Sequence, residues 1–212
     1  DFSAHAVNRK KYNDISEQQV FQNMDVVFGG GYKFFTAADR EDKQDLISEI
    51  KGQGYQLVAD KKQFDAITDG KVFGLFAPSD LPYELDRKQD EPALPEMTSK
   101  AIQLLSKDKD GFFLMVEGSK VDWAAHNNAP AALTADIKAF DDAVGIALNY
   151  AKTNKDTLVI VASDHGNGGI SMGNEATSGN YSTLPINAFK KKKKKVQMTE
   201  ETLAKAIIKN EE

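Results

Sequence analysis

Phe112-Phe113-Leu114-Met115-Val116-Glu117-Gly118-Ser119-Lys120-Val121-Asp122-Trp123-Ala124-Ala125-His126 changes period within fifteen residues. Its first five residues are apolar without interruption and read as a buried strand. Glu117 stands at the tip of that strand. Asp122 and His126 follow four residues apart, on one face of a helix. A second run repeats the plan: Leu158-Val159-Ile160-Val161-Ala162 leads into Ser163-Asp164-His165-Gly166. Strands that are apolar on consecutive residues are covered on both faces, as in a parallel sheet flanked by helices.

Working outward, Met24–Phe28, Tyr55–Ala59 and Lys71–Ala77 read as three more strands of this kind. Helical patterns lie between them. Ser16-Glu17-Gln18-Gln19 looks like a capping box opening a short helix. Asp42–Lys51 carries Leu46, Ile47 and Ile50 on one face, and Met97, Ala101, Leu104 and Leu105 mark another helix, with Pro95 suited to its first turn. The longest runs from Pro130 to Lys152, and Thr199 can cap a last one. Alternation of strands and helices predicts an α/β fold with a mainly parallel, doubly wound sheet flanked by helices. Ser79–Pro95 reads as a loop or lid. Residues 1–165 form the expected α/β core portion; 166–212 form a loop-rich excursion and helix of the same domain.

The composition narrows the chemistry. The chain has 212 residues and no cysteine, which excludes disulfides, thiolate zinc sites and a cysteine nucleophile. The longest apolar runs fall far short of the roughly 20 residues that span a bilayer. No charged-then-apolar leader opens the chain, so no signal peptide is expected in it. Net charge is −5, and setting aside the run Lys190–Lys195 leaves 21 basic against 32 acidic residues, a balance of −11. An acidic body of this kind argues against nucleic-acid binding.

In open parallel sheets, ligands bind beyond the carboxyl ends of the strands. Both polar strand ends here hold a carboxylate and an imidazole, and together they use two of the three histidines. Asp, Glu and His without Cys suit Zn²⁺ or Mn²⁺, with Mg²⁺ at an all-oxygen position. Other readings stay open for each pair alone: a helix-surface pair for Asp122 and His126, a helix cap for Asp164 and His165. His5 reads as structural, Gly29–Gly31 as a strand-exit turn, Asp141 and Asp142 as solvent-facing, and Phe76 and Tyr83 as packing.

At these residues the chain resembles the alkaline phosphatase family. The resemblance rests on Gly111–His126 with its Val-Glu-Gly and Asp-x-x-x-His, on Ser163-Asp164-His165, on Ala4-His5-Ala6-Val7-Asn8-Arg9-Lys10, and on Asp25-Val26-Val27-Phe28-Gly29-Gly30-Gly31. It implies that Asp122 and His126 bind a first zinc, Asp164 and His165 a second, and Glu117 a magnesium. Arg9 would grip two phosphate oxygens through its planar fork. Trp123 sits where the family varies, beside the magnesium site and phosphate contacts. The implied activity is hydrolysis of phosphate monoesters through a two-zinc site and a phosphoserine intermediate. A homodimer of the full-length protein, periplasmic or secreted, is implied as well.

The chain departs from the family pattern at two places. It contains no Asp-Ser-Ala nucleophile segment, and no further histidine is left to complete the first zinc site. The expectation is a central fragment of a phosphatase, inactive by itself. Two alternatives stand beside it: another hydrolase of the same superfamily, a phosphodiesterase or sulfatase, and a non-catalytic metal- or phosphate-binding module.

Overall fold

Strand β3 (Val72–Leu75) lies at the centre of a parallel three-stranded sheet, between β1 (Val26–Gly29) and β2 (Gln56–Val58). Val26 and Gln56 both pair with Val72, so the strands start level. The computed structural model describes residues 2–169 together with 183, 198, 199 and 202. Its residues group into two units: 1–81, 87–116 and 142–157 in the first, 82–86, 117–141 and 158–212 in the second. The sheet belongs to the first.

All four residues of β3 are buried, as an uninterrupted apolar run requires. Alternation sorts its side chains. Phe73 and Leu75 pack with Val20, Phe35, Leu46, Ile50 and Tyr55 on one face. Val72 packs with Val58, Phe64, Ile67, Phe76, Met97 and Leu104 on the other. Phe76 takes part in that core, in keeping with its reading as packing. The covering helices are α1 (Tyr12–Phe21), α2 (Leu46–Gly52), α3 (Lys61–Ala66) and α4 (Leu94–Leu105). The Asp45 side chain accepts from Ser48 N at the start of α2, and Asp60 accepts from Gln63 N at the start of α3. Pro95 falls in the first turn of α4, as its fixed φ favours.

Beyond β1 the chain turns at Gly29–Gly31, and the amides of Gly31 and Tyr32 both donate to the Ala77 carbonyl at 3.0 Å. A Cβ on Gly30 would stand 2.0 Å from the Ser79 carbonyl oxygen, so only glycine lets the two loops meet. The strand-exit reading of these glycines agrees with this turn.

Three expectations need correction. Ser16 does not open a helix: α1 begins at Tyr12, and Ser16 is buried within it. Its hydroxyl donates to the Asn13 and Phe34 carbonyls and accepts from Arg40, so a tertiary contact explains the residue better than a cap does. Phe112–Val116 and Leu158–Ala162 form no ladder among the described residues. A strand exists only where a neighbour takes its N–H and C=O groups, and an apolar run does not supply that neighbour. Phe113, Met115, Leu158 and Ile160 stay exposed, while Phe112, Leu114 and Val116 are half-buried.

Two further helices are α5 (Ser119–His126) and α6 (Pro130–Thr153). The expected span of α6 agrees closely with the observed one. Most of the excursion expected at 166–212 lies outside the described residues. No described helix is long and apolar enough to cross a membrane.

Candidate metal centre

Helix α5 belongs to the second unit. Gly118 precedes the helix because the Phe140 ring presses against it; a Cβ there would lie 2.9 Å from that ring. Ala124 and Ala125 turn inward, and Ala124 packs with Tyr83 and Ala132. The small side chains seat α5 on this core and leave Asp122, Trp123 and His126 on its outer side.

Asp122 occupies the middle of the cluster. Its Oδ1 lies 3.7 Å from His126 Nε2, one helical turn on, and 3.9 Å from His165 Nε2. Asp164 Oδ2 lies 3.3 Å from the same His165 nitrogen. Two pairs about forty positions apart in sequence thus converge on two imidazole nitrogens. His165 Nδ1 donates to the Gly166 carbonyl at 3.2 Å, because a carbonyl can only accept. With the Nδ1 proton engaged there, Nε2 is the ring nitrogen that faces the carboxylates and would serve an electrophile. The His165 amide donates to Asp164 Oδ1 at 3.0 Å, folding the carboxylate against its neighbour. The backbone turns at Gly168 and Gly169, which have positive φ.

Asn167 escaped the sequence reading. Its Nδ2 donates to Asp122 Oδ1 at 2.7 Å and to the Asp122 carbonyl at 3.3 Å. It thereby orients the carboxylate that both imidazoles share. Nothing in the spacing of a Gly-rich loop signals such a contact; only the fold of 158–169 against α5 creates it.

The remaining candidates sit elsewhere. Glu117 is exposed just before α5, outside the Asp–His cluster. Trp123 is half-exposed, with Lys120 Nζ 3.5 Å above its ring. Arg9 belongs to the first unit and is exposed in the turn before α1. His5 is held through its backbone, which exchanges hydrogen bonds with the Gln18 amide side chain.

Asp136, on α6, is a second residue that the sequence did not single out. It is buried; its Oδ1 accepts from Glu84 N at 3.2 Å, while its Oδ2 has no hydrogen-bond partner. Burial raises its pKa to about 6, with the charges of Glu84 and Asp86 adding to the shift and Lys120 opposing it. A carboxyl whose pKa is raised on folding binds its proton more tightly in the native state. Its contribution to stability is therefore lost as pH rises from about 4 to about 6. Asp136→Asn is expected to stabilise the chain by about 2 kcal/mol at pH 8. The difference should close near pH 4, as urea unfolding at the two pH values would show.

The donors suit a metal: hard and borderline oxygen and nitrogen groups, an imidazole whose Nδ1 is engaged by a carbonyl, and a shared carboxylate held by an amide. Among the described residues no three His, Asp or Glu side chains close on one ion. Each pair thus offers part of a shell rather than a finished cage. An α/β protein with two Asp–His pairs drawn together beside α5 is the class that fold and site define.

Comparison with known proteins gives the family. The alkaline phosphatase family model matches residues 1–211. Alkaline phosphatase 3 of Bacillus subtilis is 41% identical over 196 residues, covering 90% of this chain and 41% of that protein. The Thermus thermophilus alkaline phosphatase structure superposes with a TM-score of 0.80 at 28% identity, over 95% of this chain and 42% of that one. A TAB5 alkaline phosphatase variant solved with Mg bound gives 0.71 at 36% identity, over 81% of this chain and 49% of that one. The chain belongs to the alkaline phosphatase family, whose members are metal-dependent, and spans less than half the length of these relatives.

Proposed function

We propose that this chain is the central part of a phosphomonoesterase, in which Asp122 and His126 hold one zinc, Asp164 and His165 a second, and Glu117 a magnesium. The observation that carries the reading is the convergence of His126 and His165 on one Asp122 oxygen. When bound, the metals supply Lewis acidity toward phosphoryl oxygens and lower the pKa of a coordinated hydroxyl or water. Asp122 and Asp164 contribute negative charge that favours divalent cations. His165 presents Nε2, and Asn167 keeps Asp122 from rotating away. Arg9 is proposed to bind phosphate through its guanidinium fork. The whole protein is proposed to act on phosphate monoesters, outside the cytoplasm and as a homodimer.

The 212 residues contain no Asp-Ser-Ala segment to supply a serine nucleophile. The purified chain is therefore expected to take up zinc in a calorimetric titration yet leave a chromogenic phosphate monoester unhydrolysed. Zinc-dependent turnover that disappears in His165→Ala would refute the assignment of a partial site. Failure to bind zinc at all would refute the metal ligands.

A further inference from the structure

Helix α5 has only eight residues and lacks a side-chain cap at its start. So short a helix is marginal by itself, and its stability must come from tertiary contacts. Several of those contacts meet on one residue. Tyr83 is buried in the second unit, beside Ala124. Lys120, in the first turn of α5, places Nζ 5.0 Å from the Tyr83 ring centroid and 3.5 Å from that of Trp123. At the other end of the helix, the Asn127 amide donates to the Tyr83 hydroxyl at 3.0 Å. Tyr83 is thus tied to both ends of α5, and Asp122 and His126 lie between the two ties.

We propose that Tyr83 and Lys120 are positioning residues that strap α5 and so hold Asp122 and His126 at the spacing a single ion requires. Neither residue is a metal ligand; both act through the helix. An ammonium over two aromatic faces gains from both ring quadrupoles, and the phenol adds a directional bond at the far end. The proposal rests on reading Asp122 and His126 as a zinc pair.

Charge alone makes the opposite forecast. Removing a cation near a metal site relieves repulsion and tightens zinc binding. Positioning predicts weaker binding when the same cation is removed, so the direction of the change decides. Trp123 is the one tryptophan in the chain, so its emission reports this stack alone.

The test uses the full 212-residue chain with Zn²⁺, competed against a chromogenic chelator, and acrylamide quenching of Trp123. Lys120→Met is expected to weaken zinc binding about tenfold and Tyr83→Phe about fivefold. Quenching should rise about twofold in Lys120→Met, because the ring loses its cover. Lys120→Arg should restore both, since a guanidinium also stacks on aromatic faces. Circular dichroism checks folding, and Tyr83→Phe, which loses only a hydroxyl, carries the test if Lys120→Met does not fold. Zinc binding that is unchanged or tighter in both variants would overturn the strap while leaving the metal pair intact. Absence of zinc binding by the unaltered chain would overturn the metal pair, and the positioning role with it.

Discussion

Asp122→Ala is expected to lower the zinc affinity of the chain by about 100-fold or more. Its Oδ1 is the oxygen that both imidazoles approach, at 3.7 and 3.9 Å. The substitution removes the proposed ligand atom and a negative charge together and leaves the Asn167 amide without its carboxylate partner. Two imidazoles on separate segments then have nothing between them to set their spacing. Asp164→Ala should cost much less, about tenfold. The Asp164 side chain is largely exposed and meets only one of the two rings. Competition with a chromogenic chelator measures both variants. Equal losses would mean that the cluster is not organised around Asp122, and an Asp122→Ala chain with undiminished affinity would remove the site altogether.

Arg40→Met is expected to destabilise the first unit by about 3 kcal/mol, read from the urea midpoint. The Arg40 side chain is fully buried. Its Nη1 donates to Ser16 Oγ at 2.7 Å and to the Phe34 carbonyl at 2.9 Å, and its Nε donates to Asp42 Oδ1 at 2.8 Å. One guanidinium therefore joins α1, the turn after β1 and the approach to α2. Methionine fills a similar volume but offers no donor, so buried acceptors lose a partner. Lysine could serve one acceptor and not the fork, so Arg40→Lys should fall between. The Arg40 guanidinium also holds the Asp42 carboxyl below its ordinary pKa. That contribution is present above the unfolded carboxyl pKa and fades as pH falls through the lowered value. The loss from Arg40→Met should accordingly be smaller in acid. A midpoint that did not move at neutral pH would show the buried network to be energetically idle.

Neither Arg40 nor Asp136 stands out in the sequence. Each is a charged residue in a stretch of ordinary polarity, and its burial depends on segments far away in the chain. Ser16 is deceptive for the same reason: a hydroxyl followed three residues later by Gln resembles a cap, yet its distant partners are Phe34 and Arg40. The parallel core was legible because burial on both faces leaves consecutive apolar residues, as at Val72–Leu75. The same logic overreached at Phe112–Val116 and Leu158–Ala162. Apolar runs record what a segment can bury, whereas a ladder requires another strand's unpaired backbone at the right edge.

The candidate ligands divide in a similar way. Asp122 and His126 are one helical turn apart, and Asp164 and His165 are adjacent, so local geometry alone brings each pair together. The sequence by itself therefore determined the α/β class, the helix periods, the donor chemistry without thiolates, and the two pairs. Only the tertiary structure decided that the pairs meet on one Asp122 oxygen, that Asn167 orients it, and that Tyr83 ties both ends of α5. Spacing along a chain specifies contacts within one turn of a helix or one residue of a loop. Contacts between segments forty residues apart depend on how small side chains such as Ala124 and Gly118 let α5 settle against Tyr83 and Phe140.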